Sequence, residues 1–485
     1  MRNSSELLSE RAREAWLRCV RGSMPNSHRA ANQSYWAPAV DCAPREELRE
    51  IQLRKVRVAL EYVYHCIAFY RRKFDRLGLE PGDIKRLDDL ATIPVTTRQE
   101  MADDLELNSP WGSYTAVDDR VWRERGWQLF TTSGTRGKPR VFRYTEFDRQ
   151  VWAWKNARAM WAMGFRPGRD SAMVAFGYGP HVWLWGVHYA FNLMKIPIVT
   201  GGGLDSRTRA RFIDDYKPTI LCCTPTYALY LADVMREANL DPGRSSVKFL
   251  FCAGEPGFGI PATRALLEQT WQAELHEFYG CTEASPAAGG YTCREAAANK
   301  SSAMTHLMED AQIWEIVDSE TLAPVRERER GLSVVTDLSS ESSPQIRFLV
   351  GDVGCLTTEP CACGRTHARA PGGFAGRADD MLNVRGITIF PSSIEDAVRL
   401  IPGAGAEFQI TVSTQQNLDV LTVRVEPDAA LDVAGYPDLR YRIESEVIAR
   451  CELRPDVIVV PRGSLPRMEF KAKRVQDLRA SVSGK

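Results

Sequence analysis

The stretch from Thr131 to Pro139 reads TTSGTRGKP and gathers hydroxyls, the small residues Gly134 and Gly137, and the cations Arg136 and Lys138. Small residues expose backbone N–H groups, and the hydroxyls and cations add further donors, so such a run can fold around an anion. Nucleoside triphosphate is the first candidate. The spacing does not fit GxxxxGK[ST], so a P-loop NTPase is not indicated. On residue types alone, an ordinary surface turn remains the other reading.

A second run, YGCTEA from Tyr279 to Ala284, offers an aromatic face in Tyr279, a hydroxyl in Thr282 and a hard oxygen ligand in Glu283. Those groups suit a base, a phosphate and magnesium respectively. Read locally, the same run could open a helix with an acidic first turn. Three glycine-rich turns follow apolar runs: GYG at Gly177 to Gly179, GGG at Gly201 to Gly203, and AGEP at Ala253 to Pro256. Ligands of α/β proteins approach the carboxyl ends of strands, so these turns could line one cleft.

The elements that must position these groups are legible in the hydrophobic patterning. From Ser171 to Gly280 the short apolar runs SAMVAF, IPIVT, TILCC and KFLF read as strands, and FIDDYKP and YALYLADVMREA read as helical segments between them. That alternation predicts α/β topology. Upstream, Leu53, Val56, Leu60, Val63, Ile67 and Tyr70 recur at three- or four-residue intervals and predict one apolar helix face within Arg45 to Gly78. PGDIKRLDDLATIPVTTRQEM reads as a turn, a short helix and a helix start. Near the end, FQITVS, DVLTVRVEP and DVIVV read as strands and YRIESEVIARC as a helix, which predicts a compact α+β lid.

With 485 residues, 44% of them hydrophobic, the chain can bury more than one core, and two domains or more are expected. Lysine plus arginine equals aspartate plus glutamate at 62 each, which supports neither nucleic-acid binding nor an electrostatically held membrane protein. No uninterrupted apolar span is long enough to cross a bilayer, and MRNSSELLSERAREAW lacks the apolar segment of a secretory signal. The expectation is a cytoplasmic protein. Twelve scattered cysteines are too sparse for a disulfide scaffold, and only Cys361 and Cys363 have suggestive spacing.

Taken together, these motifs make the chain resemble the phenylacetate-CoA ligase branch of the adenylate-forming superfamily. TTSGTRGKP resembles that family's phosphate loop, AGEP its adenine-side turn, and YGCTEA its adenine and magnesium motif. IRFLVGD at Ile346 to Asp352 resembles the ribose-binding segment, GRADDMLNVRGITIFPSSIE the hinge, and GSLPRMEFKAKR the closing lysine segment. FYRRKF and CACGRTH add to the resemblance, which spans roughly Arg45 to Arg474.

The resemblance implies a large amino-terminal α/β domain over residues 1–378, a small mobile α+β domain over 379–485, and Asp379 as the hinge. It implies attack of a carboxylate on the α-phosphate of ATP, release of pyrophosphate, and transfer of the acyl group to CoA. By the same correspondence Thr131, Thr132, Ser133, Gly134, Thr135 and Lys138 cradle phosphates. Gly254, Glu255 and Pro256 lie beside adenine with Tyr279, Glu283 holds magnesium with Thr282 nearby, and Asp352 receives the ribose hydroxyls with Arg377 close by. Lys471 corresponds to the adenylation lysine, with Lys473 as the competing candidate. Phe470 stands where the family has glycine, and Arg136 where it often has threonine.

Tyr178, His181, Trp185, Phe251, Ala253 and Tyr279 form the expected acyl pocket, whose aromatic walls favour an aryl or arylacetic acid over a long fatty acid. His181 is equally readable as a core histidine. Cys293, His306, Cys361 and Cys363 match the structural zinc ligands found in some members of the branch, thiolate and imidazole being suitable donors. A turn with reduced cysteines is the other reading of the pair. Transfer to a carrier protein, an amine or another nucleophile is the alternative ending, and a catalytically silent ATP-binding sensor the reading from a different class. A homodimer is the open expectation for assembly.

Overall fold

The computed structural model describes residues 4–24, 34–132, 139–179, 182–299, 303–416, 418–467 and 474–479. The chain forms two compact units: the first comprises residues 1–198 and 278–373, the second 199–277 and 374–485.

In the first unit the long helices Ser4–Gly22 and Arg45–Cys66 carry a stacked pair, Trp16 on Tyr62 with ring centroids 5.1 Å apart. The single apolar stripe expected across Arg45 to Gly78 divides into two helices, Arg45–Cys66 and Ala68–Leu77. Ile67 adopts extended backbone (φ −124°, ψ 106°), which interrupts the helical ladder. Val56, Leu60, Val63, Ile67 and Tyr70 are nevertheless buried, and Leu53 is half-buried, so the periodicity identified most of the inward side.

Helix Glu146–Ala162 starts at a reciprocal cap in which Asp148 N–H donates to Thr145 Oγ1 and Thr145 N–H to Asp148 Oδ2. Farther along, Arg158 is fully buried between Asp41 and Asp310, donating to the first at 2.7 Å and to the second at 2.9 and 3.0 Å. A guanidinium can be buried at that depth because both carboxylates satisfy it.

Gly126–Thr131 and Val141–Thr145 pair antiparallel, and Gln312–Val317, Gly331–Asp337 and Phe348–Gly354 make a three-stranded antiparallel sheet. The second half of Glu274–Cys281 pairs antiparallel with Ser285–Tyr291. YGCTEA is therefore a strand end and a turn, and the helix entry also readable from its residues does not form.

In the second unit Ile220–Cys223, Phe249–Cys252 and the first half of Glu274–Cys281 run parallel, with helices Ser206–Tyr216, Pro225–Glu237 and Pro261–Trp271 between and around them. Ile220–Cys223 and Phe249–Cys252 fall on the expected strands TILCC and KFLF, and Ser206–Tyr216 and Pro225–Glu237 on the expected helical segments FIDDYKP and YALYLADVMREA, whereas the strand Glu274–Cys281 and the helix Pro261–Trp271 are additional. The carboxy-terminal segment forms a four-stranded sheet in the order Asp456–Val459, Leu418–Pro427, Ala404–Gln415, Val475–Asp477, with helices Pro391–Leu400 and Tyr436–Cys451. Alternate residues Phe408, Ile410 and Val412 meet Leu421, Val423 and Val425 and the helix residues Ile394, Val398, Ile443 and Val447 in one core.

Candidate active site

Thr131 ends the strand Gly126–Thr131. Thr132 N–H donates to Arg140 O and Thr132 Oγ1 accepts from Arg140 N–H, both at 3.0 Å. The hydroxyl thus pins the two ends of TTSGTRGKPR together. Ser133, Gly134, Thr135, Arg136 and Lys138 lie outside the described residues, as do His181, Phe470, Lys471 and Lys473.

From the loop's end, Arg140 reaches Glu283, its Nη2 lying 2.8 Å from Oε1. Arg98 approaches the same oxygen at 3.2 Å through Nε and donates to Val350 O at 2.8 Å through Nη1, its guanidinium 5.4 Å from the centroid of Phe348. Glu283 is only 6% exposed. Burial opposes its charge, but Arg98 and Arg140 outweigh that penalty and hold the carboxyl below the usual glutamate range. A buried carboxylate kept ionised is a suitable ligand for a hard cation.

Two positions beyond Val350 lies Asp352, which accepts a hydrogen bond from the Tyr279 hydroxyl. Burial, and then the charge of Asp352, push the Tyr279 phenol well above its usual pKa, so it remains a donor. The Tyr279 ring lies 5.7 Å from that of Trp314, and Tyr144 O–H donates to Thr282 O at 3.1 Å. The structure therefore brings Thr132, Thr282, Glu283, Tyr279 and Asp352 into one connected set. Arg98, Arg140 and Tyr144, which complete it, were not legible as site residues. Only the position of Arg140 directly behind the loop hinted at its part.

In the second unit, Gly254 has φ +92°, a backbone state that favours glycine. Its neighbour Glu255 accepts from Thr226 N–H at 2.7 Å. The turn is fixed again by Glu277, whose Oε2 accepts from Gly257 N–H at 2.8 Å and Phe258 N–H at 2.7 Å. Burial raises the pKa of both carboxyls. Phe251 and Ala253 are buried, on and just after the strand Phe249–Cys252. Arg377 holds Asp379 through Nε at 2.6 Å in the short helix Ala378–Asp380.

Of the expected acyl-pocket residues in the first unit, Tyr178 and Trp185 meet edge to face with centroids 5.6 Å apart. Trp185 Nε1 donates to Gly179 O at 3.1 Å, tying the aromatic to the GYG turn. His188 joins them, 6.3 Å from each ring. Burial lowers its pKa, and its Nδ1 has no hydrogen-bond partner among the described residues.

Cys293, His306, Cys361 and Cys363 also converge, their ligand atoms all within 4.8 Å of one another. Cys363 Sγ lies 3.4 Å from His306 Nε2, and Cys293 Sγ 3.8 Å from Cys361 Sγ. The Cys361–Cys363 turn is held by Tyr35, which donates to Cys363 O at 2.8 Å. Three sulfurs and one imidazole nitrogen at such separations fit a tetrahedral ion with bonds of about 2.0–2.3 Å. The donor set is that of a closed structural zinc site.

Residues 55–336 match the AMP-binding enzyme family, and residues 386–479 the AMP-binding enzyme C-terminal domain. The phenylacetate-coenzyme A ligase of Thermus thermophilus is 31% identical over 92% of this chain and 99% of its own length. That of Escherichia coli is 31% identical over 91% and 98%. A 2-hydroxyisobutyryl-CoA ligase in the postadenylation state with 2-HIB-AMP superposes with TM-score 0.87 at 29% identity, covering 96% of each chain. The same enzyme with 2-HIB-AMP and CoA in the thioesterification state superposes at 0.70 and 30% identity, covering 94% of each.

Proposed function

The chain belongs to the AMP-binding enzyme family, in the phenylacetate-CoA ligase branch, and we propose that it joins an aromatic carboxylic acid to CoA through an acyl-adenylate. A carboxylate oxygen attacks the α-phosphorus of ATP, the bond to the β-phosphate oxygen breaks, and pyrophosphate leaves. The CoA sulfur then attacks the acyl carbon, AMP leaves with the bonding pair, and the thiol proton passes to solvent.

The observation that carries this reading is the linkage from Thr132 through Arg140 to Glu283, and from Arg98 past Val350 to Asp352 and Tyr279. It joins a loop suited to phosphate, a carboxylate suited to a cation, and an aromatic–carboxylate pair suited to a nucleoside. In this reading Thr131, Thr132, Ser133, Gly134, Thr135 and Lys138 cradle the phosphates. Glu283 holds magnesium with Thr282 beside it, and the ion supplies charge neutralisation to the leaving pyrophosphate. Tyr279 faces adenine together with Gly254, Glu255 and Pro256, while Asp352 receives the ribose hydroxyls with Arg377 nearby. Lys471 contacts the substrate carboxylate and α-phosphate.

Tyr178, Trp185, Phe251 and Ala253, with His181 and Tyr279, form the acyl pocket. Its aromatic character supports an aryl or arylacetic acid, the class named by the phenylacetate-coenzyme A ligase relatives. We place the domain boundary between Ala378 and Asp379, so that residues 379–485 form the mobile lid. Cys293, His306, Cys361 and Cys363 hold a structural zinc ion.

The direct test is mass-resolved product analysis with ATP, magnesium and a panel of aromatic carboxylates, with and without CoA. Aryl-CoA, AMP and pyrophosphate are expected. Accumulation of aryl-AMP that leaves CoA untouched would redirect the acyl group to a carrier protein or another nucleophile. ATP binding without pyrophosphate release from any acid would reject the enzyme reading in favour of a sensor.

A further inference from the structure

Helix Glu146–Ala162 gives way at Gly164, where φ is +92°, to a turn over residues 166–170. Asp170 is 4% exposed and staples that turn. Its Oδ2 accepts from Arg166 N–H at 2.8 Å, and its own N–H donates to Arg166 O at 3.1 Å. The same carboxylate accepts from Arg169 Nε at 3.1 Å. One turn thereby presents two arginines side by side.

Both line a cavity of about 1000 Å³ in the first unit, together with Arg294 and Arg365. Arg294 opens the short helix Arg294–Ala298, and its Cδ passes 3.4 Å from where a Cβ on residue 164 would stand, a space that Gly164 leaves to it. Arg365 follows the Cys361–Cys363 turn. Its Nη2 donates to Ser34 O at 3.1 Å, and its buried Nε has no hydrogen-bond partner among the described residues.

The negative charge around these four guanidiniums is smaller than theirs. Glu295 lines the cavity and Asp170 lies behind Arg169, while Asp41, which acts on Arg365, is shared with Arg158. The adjacent cysteine cluster, if loaded with zinc, adds one net negative charge, three thiolates against a divalent ion. The crowding is felt at Arg166, whose pKa is lowered to about 10 by burial and then by Arg169 and Arg365, with Arg294 adding to them and Asp170 opposing.

Guanidinium forks match phosphate oxygens two at a time, and adjacent phosphates would offset several of them together. The wall also offers aromatic surface: Arg166 sits 4.0 Å from the ring centroid of Trp161 and Arg365 5.0 Å from that of Tyr35, and both rings are half-buried. Small-molecule sites measure about 300–1,000 Å³, so the volume suits a ligand larger than a lone phosphate.

We infer that this cavity is a further anion site, taking a ligand with adjacent phosphate groups, either a nucleoside diphosphate or free pyrophosphate. None of its lining residues belongs to the set around Glu283 and Asp352, and it stands whether or not that set activates a carboxylate.

The test is calorimetric titration of the full chain with ADP and, separately, with inorganic pyrophosphate, in wild type and in an Arg169→Gln/Arg294→Gln variant. Both side chains are exposed, so their loss leaves the core intact. The variant should bind one equivalent fewer than wild type, or bind that equivalent about tenfold or more weakly, as expected when charge-assisted hydrogen bonds are removed. An Arg169→Lys/Arg294→Lys variant should keep part of the affinity. ADP binding tighter than pyrophosphate identifies a nucleotide as the ligand, and pyrophosphate binding as tightly or more tightly identifies the free anion. Equal binding by wild type and the glutamine variant overturns the site. So does a lysine variant that loses as much as the glutamine one, because positive charge at those positions is what holds the anion. If the double variant melts early, Arg169→Gln alone makes the same comparison, with a loss of about threefold expected and no loss overturning the site.

Discussion

Arg140 and Glu283 meet at 2.8 Å, and the same Arg140 is hydrogen-bonded to Thr132. One arginine therefore connects the two ends of TTSGTRGKPR to the carboxylate proposed to hold magnesium. Arg98 supplies a second cation to that carboxylate and ties it to the strand bearing Asp352. The local electrostatics keep Glu283 ionised.

Replacing Glu283 with glutamine should reduce pyrophosphate release at least about a hundredfold and raise the magnesium concentration needed for half-maximal rate. It should also lower the melting temperature, because Arg98 and Arg140 lose their charged partner. The depressed carboxyl contributes stability that is complete above the unfolded glutamate pKa and is lost as pH falls through the lower folded value. The stability difference between wild type and variant should therefore shrink toward acid pH. A magnesium dependence identical to wild type would remove Glu283 from the metal role.

Tyr279→Phe retains the ring and removes only the donor to Asp352. A hydrogen bond to a charged group contributes about 1.5–3 kcal/mol, so the KM for ATP should rise by roughly tenfold or more with a smaller change in kcat. Steady-state kinetics at saturating acid would decide this. An unchanged KM would remove the Tyr279–Asp352 hydrogen bond from nucleotide binding.

Asp148 provides a pH test unrelated to catalysis. Burial, followed by the neighbouring charge of Glu341, pushes its pKa up to about 6. The folded state consequently binds a proton that the unfolded state has released, and stability contributed by this group should fall as pH rises from about 4 to about 6. Asp148→Asn should flatten that part of the profile, measured by urea unfolding at each pH. A slope retained in the variant would assign it to another group.

Metal analysis of purified protein should find about one zinc ion per chain. Cys361→Ser or chelation should then lower the melting temperature and promote unfolding of the first unit, since metal-binding free energy is also folding free energy. Protein that contains no zinc and is indifferent to Cys361→Ser would leave the four residues as a cluster of reduced thiols around a histidine.

Arg158→Ala should be among the most damaging substitutions away from the site. It leaves Asp41 buried without the guanidinium and Asp310 with only the more distant Lys55, 3.9 Å away, a change expected to cost about 3–5 kcal/mol. Chemical denaturation would measure it, and a loss below about 1 kcal/mol would mean that water or rearrangement replaces the guanidinium.

The sequence alone determined the alternation of strands and helices, the α+β character of the carboxy-terminal segment, and the order of the motifs. Those properties reside in local periodicity, turn chemistry and residue type, which need no knowledge of distant neighbours. It also singled out the four potential metal ligands through the family resemblance, although the gathering of Cys293 and His306 with Cys361 and Cys363 depends on how distant segments pair. Tertiary structure alone decided the break at Ile67, the strand end and turn at YGCTEA, and the partners of every site carboxylate. Arg98 and Glu283 are 185 positions apart, Arg140 and Glu283 143, and Tyr279 and Asp352 73. Contacts over such separations are fixed by strand register and by which side of each strand a residue occupies, so nothing in the spacing of a single motif could have specified them.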